Sequence, residues 1–288
     1  MPTDQRLEIP LHRTSFDRTA EAEEAIRWEE PDNRFITNVH AASLTAHLPV
    51  GGARRPMILI FPGGGYGGVS IDKEGHYVAS WLNAHGICAA VLKYRLPERA
   101  GGLPLPFQDG IAAMECIRDH ADDWSLDLKK FGLMGFSAGG HLAGSLGLRF
   151  HELTRGRHIP RPAFLCLIYP VITAASDCAH LGSFKNLLQG ELTDEDVRTH
   201  SLDNHVVQDS PPIFLFHAAD DRTVPPAHSE KLHAACQNAG SHATVHICPE
   251  GGHGFGMGRA GEKCAAWPDL FLEWGSVYAW GNAEAMRG

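Results

Sequence analysis

Six short apolar runs alternate with helix-like segments along most of this chain, and that rhythm limits what it can fold into. The runs are MILIF (57–61), ICAAVLKY (87–94), FGLMGF (131–136), FLCLIYPV (164–171), IFLFHA (213–218) and TVHIC (244–248). They are apolar along their length, as strands covered on both faces must be. Segments with helical patterning lie at 73–85, 106–123, 138–149, 226–239 and 262–280. Strand–helix alternation of this kind implies a parallel sheet with helices on both faces. Two earlier runs, FITNV (35–39) and ASLTAHL (42–48), read as an opening antiparallel pair, giving a mostly parallel sheet of eight strands. Residues 1–33 are polar, rich in Glu and Arg, and weakly periodic. They read as an N-terminal arm, with 34–288 forming one domain. Residues 174–210 interrupt the rhythm with a polar piece, LTDEDVRTHS. An insertion there would sit over the carboxyl ends of the strands, where such sheets take their ligands.

Composition excludes several functions. The formal net charge of −9 is the wrong sign for a surface that neutralises phosphates. Nucleic acid is therefore not an expected partner. No apolar run approaches the ~18 residues of a membrane span, and MPTDQRLEIPLHRTSFD lacks the basic-then-apolar plan of a signal peptide. The expectation is a cytoplasmic protein, with a secreted mature form left open. The seven cysteines are scattered and form no C-x-x-C pair, so neither a disulfide framework nor a zinc site is expected. HELTRGRH (151–158) would put two histidines on one helical face, but Gly156 argues against a helix there. No metal and no cofactor are expected.

Four segments carry chemistry, each directly after one of the apolar runs. Gly135-Phe136-Ser137-Ala138-Gly139 joins FGLMGF to a helical segment. In a strand–turn–helix setting, G-x-S-x-G lifts the serine hydroxyl above the sheet and aims the Ala138 N–H at a reacting carbonyl. The bland alternative is a Gly-rich turn with a helix-capping serine. Pro62-Gly63-Gly64-Gly65-Tyr66-Gly67-Gly68 follows MILIF. It satisfies G-x-G-x-x-G, but the next strand ends in Lys93 and Arg95 and offers no acid for a ribose. No Gly-Lys-Ser/Thr follows, so it is not a P-loop. What is left is an oxyanion loop in which Gly64 and Gly65 donate beside Ala138, or a plain tight turn. HAADDRTVP (217–225) puts Asp220 and Asp221 just past a strand end, where either could reach a histidine or simply cap a helix. Glu250-Gly251-Gly252-His253-Gly254-Phe255-Gly256 sets one of the 18 histidines in the last strand–helix loop. The order Ser…Asp…His, each after its own strand, is that of the α/β-hydrolase fold.

At these residues the chain resembles the bacterial esterases grouped with acetyl xylan esterases and their feruloyl-esterase relatives. The resemblance runs from about 35 to about 275 and rests on PGGGYGG, on YRLP (94–97) followed by PLPFQDG (104–110), on GFSAGGHLAG (135–144), on FHAADDRTVPPAHS (216–229) and on EGGHGFG (250–256). It implies Ser137, Asp221 and His253 as catalytic triad, and Gly64, Gly65 and Ala138 as oxyanion hole. The relatives place the acid four residues before the Pro of a Val-Pro pair. Here that pair is Val224-Pro225, which selects Asp221 over Asp220. Successive residues leaving a strand point to opposite sides, so only one of the two can face the histidine.

The expected protein is thus a serine carboxylesterase cleaving short-acyl, acetyl or feruloyl, esters of carbohydrates. Its substrate would be a small-molecule or oligosaccharide ester. Tyr66 and Phe255 are expected to line the substrate pocket. An amidase or formamidase with the same machinery, or a non-catalytic binding protein of the same fold, remains as an alternative. A homo-oligomer stays open.

Overall fold

The computed structural model describes residues 5–11, 23–30, 33–98, 102–175 and 178–281. Eleven strands are described: β1 (Gln5–Pro10), β2 (Ala25–Glu30), β3 (Asn33–Thr37), β4 (Ser43–Leu48), β5 (Arg55–Phe61), β6 (Val69–Ser70), β7 (Cys88–Lys93), β8 (Leu126–Phe136), β9 (Phe164–Ile168), β10 (Ile213–Ala218) and β11 (Ala243–Cys248). Eight of them form one sheet in the order β1-β4-β7-β5-β8-β9-β10-β11. The pairs β1/β4 and β4/β7 are antiparallel and every other pair is parallel. Met57–Phe61 and Phe131–Phe136 are buried along their whole length, as the double-sided cover requires.

The helices are α1 (Tyr77–Ala84), entered through a π-helical turn at Asp72–His76, α2 (Leu105–Asp119), α3 (Ala138–Leu148), α4 (Phe150–Leu153), α5 (Leu181–Leu188), α6 (Asp194–His200), α7 (Ala227–Ala239) and α8 (Trp267–Tyr278). The last four parallel strands all end on the side where Ser137, Tyr169, Asp221 and His253 leave the sheet. An α/β sheet with a mostly parallel core is the architecture expected from the alternation of apolar runs.

Two expectations are corrected. FITNV and ASLTAHL do not pair with each other. The chain bends at Asn38, whose φ is 54°. Strand β3 joins β2 and β6 in a separate three-stranded sheet, while β4 joins β7. The main sheet still has eight strands because β1, from the segment read as an arm, pairs with β4 from Gln5↔Leu48 to Pro10↔Ser43. Alternating hydrophobicity is weak in QRLEIP, an edge strand with one solvent face, so periodicity did not reveal it. Helix α4 stops at Leu153, so His151 and His158 share no helical face.

The insertion at 174–210 holds α5, α6 and a 3₁₀ turn at Leu202–His205. Helix α6 begins in a capping box, Thr193 Oγ1 accepting the Asp196 N–H and Asp196 accepting the Thr193 N–H. Under the insertion Phe184, Val171, Ala174 and Val224 make a small apolar cluster separate from the main core.

Candidate active site

The G-x-S-x-G turn is as tight as the sequence requires. Ser137 has φ 53° and ψ −121°, a strained conformation for a residue with a Cβ. The turn closes because a Cβ on Gly135 would lie 2.2 Å from the Gly139 carbonyl oxygen, and one on Gly139 2.0 Å from the Phe61 carbonyl oxygen. The strain holds the Ser137 side chain up at the mouth of the sheet, at the N-terminus of α3, with Ala138 buried beside it.

His253 lies across from it. Ser137 Oγ–H donates to His253 Nε2 at 2.9 Å, and His253 Nδ1–H donates to Asp221 Oδ2 at 2.7 Å. The second Asp221 oxygen, Oδ1, accepts the backbone N–H groups of Thr223 and Val224, both at 2.9 Å. A fourth donor, His217 Nε2, stands 3.3 Å from Asp221 Oδ2 while bonding the Val224 carbonyl at 2.8 Å. Burial alone would raise the Asp221 carboxyl. The hydrogen bonds from His217, His253 and the Val224 N–H outweigh it and hold the group well below its ordinary value. The ionised form of Asp221 is thereby favoured, which suits a group that accepts from His253 Nδ1–H.

The neighbouring Asp220, in the turn that follows β10, has different partners. Its Oδ1 accepts the N–H groups of Gly251 and Gly252, at 2.9 and 2.8 Å. One aspartate touches the imidazole and the other holds the loop that carries it.

The glycine loop after β5 sits opposite. The Gly64 carbonyl accepts Gly67 N–H at 3.0 Å, and the Gly65 carbonyl accepts the Asn186 side-chain amide at 2.9 Å. Helix α5 of the insertion thus buttresses this loop. Gly64 and Gly65 line a cavity of about 250 Å³ together with Ser137, His180, Thr223, His253, Glu29 and Phe35. A neighbouring cleft of about 670 Å³ shares Lys73, His253 and Gly254 with it and runs on past Asn33, Tyr77, Phe255 and Glu262.

Of the residues singled out from sequence, Ser137, Asp221 and His253 form one hydrogen-bonded series, and Gly64, Gly65 and Ala138 lie around it. Phe255 lines the larger cleft and packs edge-on against Tyr169 at 4.4 Å. Tyr66 does not line either cavity. It is 2 % exposed, and its hydroxyl donates to His141 Nδ1 at 2.8 Å. Its φ of 57° turns the side chain down into the core, away from the pocket. Among the described residues no cluster of three or more His, Cys, Asp or Glu side chains is placed to hold a metal ion.

Several site residues carried no sequence signal. Glu29 and Phe35 come from the segment before the first core strand. His180 comes from the insertion, and its Nδ1 lies 2.8 Å from Ser183 Oγ. Glu74 comes from the π-helical turn. No motif marks them, because they reach the site through tertiary packing. Only the position of the insertion, over the strand ends, hinted at His180 and Asn186.

The fold and this arrangement define an α/β hydrolase, and the family model for the α/β hydrolase fold matches residues 58–257: the chain belongs to that family. It is 34 % identical over 221 residues to the acetylxylan esterase of Xylanibacter ruminicola, covering 75 % of this chain and 44 % of that protein. It is 30 % identical over 236 residues to endo-1,4-beta-xylanase B of Butyrivibrio fibrisolvens, covering 79 % of this chain and 37 % of that one. The chain thus spans less than half the length of these two curated relatives. Among solved structures it is similar to an acetyl ester-xyloside bifunctional hydrolase from Caldicellulosiruptor lactoaceticus. That match has a TM-score of 0.78 and 32 % identity over 94 % of this chain and 95 % of the other.

Proposed function

We propose that this protein is a serine carboxylesterase that removes short acyl groups, acetyl above all, from carbohydrate esters. The observation that carries the reading is the unbroken series Ser137–His253–Asp221 opening into a cavity walled by Gly64 and Gly65. Ser137 Oγ attacks the ester carbonyl as His253 Nε2 takes its proton. Asp221 fixes the Nδ1–H tautomer and offsets the charge on the imidazolium. The N–H groups of Gly64, Gly65 and Ala138 stabilise the tetrahedral oxyanion. His253 then returns the proton to the departing alcohol. Water, activated by the same imidazole, releases the acid from the acyl-enzyme.

The cavity at Ser137 supports a short acyl group. It is small, about 250 Å³, and leaves little room for a long alkyl chain beside Gly64, Gly65 and Ser137. The larger adjoining cleft, with Asn33, Lys73, Arg259 and Glu262, suits a hydroxyl-rich alcohol. The similarity to an acetylxylan esterase and to an acetyl ester-xyloside hydrolase points to the same substrates.

The test is kcat/KM for nitrophenyl esters from acetate to octanoate, together with acetylated xylo-oligosaccharides and the matching amides. Acetate should lead, the sugars should be deacetylated, and amides should turn over far more slowly. An optimum at octanoate, or amide turnover equal to that of the ester, overturns the reading.

A further inference from the structure

A carboxylate outside the Ser137–His253–Asp221 series lies at the base of the same site. Glu74 is 4 % exposed, in the π-helical turn Asp72–His76. Its Oε2 accepts the Gly63 N–H at 2.7 Å, at the root of the glycine loop. Its Oε1 accepts the Tyr169 hydroxyl at 2.9 Å. The Tyr169 oxygen in turn accepts the Gly256 N–H at 2.9 Å, at the far end of the histidine loop. The Tyr169 ring stands edge-on to the His253 ring, with centroids 5.0 Å apart. The packing leaves little slack. A Cβ on Gly63 would lie 2.6 Å from Glu74 Oε2, and one on Gly256 2.8 Å from the Lys73 carbonyl oxygen.

The segment carrying His253 is therefore pinned on both sides. Asp220 holds Gly251 and Gly252 ahead of the histidine, and Tyr169 holds Gly256 behind it. The second pin runs through Glu74 to the loop that walls the oxyanion side. Both groups facing Glu74 are donors, so the arrangement suits the ionised carboxylate. A buried charge is a poor device for stability alone, since well-packed apolar residues serve as well. It is a good device for registering two loops whose relative placement decides how well a transition state is held.

Resting on the ester-hydrolase reading, we infer that Glu74, acting through Tyr169, is a positioning residue that sets the oxyanion loop and the His253 loop in register. It acts through its bonds to the Gly63 N–H and the Tyr169 hydroxyl and not on the reacting atoms. The series Gly63–Glu74–Tyr169–Gly256 is one unit, and loss of either side chain releases the same restraint. The effect falls on the transition state, where both loops act together, and not on the resting substrate.

The experiment uses the full chain with Glu74→Gln, Tyr169→Phe and the double variant. Tyr169→Phe keeps the ring packing and loses only the hydroxyl, so it tests the link even if Glu74→Gln folds poorly. Sites are counted by fluorophosphonate labelling of Ser137, and nitrophenyl acetate turnover is expressed per labelled site. Each single variant should lose about 10- to 100-fold in kcat with KM unchanged within about two-fold. The double variant should be no worse than the poorer single, because the two side chains serve one link. A phenylboronic acid, which forms a tetrahedral adduct at the serine, should bind more weakly in step with kcat.

Singles that keep kcat within about two-fold, a rise in KM at constant kcat, or losses that multiply in the double variant each overturn the inference and leave the esterase reading standing. A parent protein in which fluorophosphonate labels some residue other than Ser137 overturns the esterase reading and this inference together.

Discussion

Asp220 and Asp221 are adjacent in sequence and serve one histidine from different directions. Asp221 bonds the ring of His253 and Asp220 bonds the backbone of Gly251 and Gly252. Substitution should separate these tasks. Asp221→Asn places an amide where an acceptor must face Nδ1–H and favours the wrong tautomer, so kcat should fall by about 10⁴-fold. Asp220→Asn keeps an oxygen acceptor for the two N–H groups, so its loss should be only about a few-fold. Assays of the two side by side, with thermal melts to confirm folding, decide the assignment. A dead Asp220→Asn would mean that loop placement outweighs tautomer control. Ser137→Ala should remove turnover by about 10⁶-fold in kcat while leaving the melting point near that of the parent. More than a few per cent of residual activity would require another nucleophile.

The sequence made Ser137, Asp221 and His253 legible because each follows a strand end in a turn of small residues. It did not make Tyr66 legible, since an aromatic in a glycine loop reads equally as pocket lining or core. Nor could it mark His217, whose backbone partner and second contact to Asp221 exist only once β10 and its following turn have folded.

Among the elements, the ties between them decide stability. Arg95, in the segment after β7, reaches Asp109 on α2 through its backbone N–H at 2.7 Å and its guanidinium at 2.5 Å. Asp109 is fully buried. Asp109→Ala removes the fully buried carboxylate that binds Arg95 and should cost about 3–5 kcal/mol, read as a lower urea midpoint at unchanged m-value. YRLP and PFQDG were noticed in sequence as separate pieces, and their pairing explains why both are there.

In sequence the π-helical turn before α1 looks like ordinary helix, because periodicity does not distinguish the extra residue of a π turn. Its consequence is titratable. Burial raises the Glu74 carboxyl from its ordinary value of 4.5, against the opposing effects of the Tyr169 hydroxyl, His253, the Gly63 N–H and Lys73. A carboxyl raised by folding costs stability in its ionised form. That cost is full above the folded pKa and gone once the pH has dropped below the ordinary value. Glu74→Gln removes it. The stability of the variant relative to the parent should therefore be most favourable at about pH 8 and decline towards about pH 5. Parallel urea titrations at both pH values give the answer, and a pH-independent difference would mean that folding leaves the Glu74 carboxyl at its ordinary value.

For the whole molecule, the parallel strands and β4 were legible as strands, while β1 and the partners of β3 and β4 were not. Parallel strands covered on both faces are apolar throughout, and their crossovers need helices, so both signals repeat along the sequence. Strand β1 has neither signal. Its placement predicts that deleting residues 1–11 uncovers β4 as a sheet edge carrying Leu44, Ala46 and Leu48. The truncated protein should melt at lower temperature and associate on concentration, as an unprotected edge does. Its kcat should stay close to that of the full chain, because β1 is four places from β8 in the sheet. Light scattering and steady-state assays on the truncated protein test both halves of that statement.

The three-stranded sheet has a different bearing on what this molecule can become. It carries Glu29 and Phe35 to the pocket wall, and Arg34 fastens it to Asp72 by two side-chain bonds of 2.8 and 2.7 Å. Ser137, Asp221 and His253, by contrast, follow β8, β10 and β11 in the other sheet. On the proposed reading, the reacting groups and part of the wall that meets the substrate therefore come from different sheets. Exchanges at Glu29, which lies at the cavity on β2, should then alter which esters are taken while leaving the strands beneath the serine and its histidine in place.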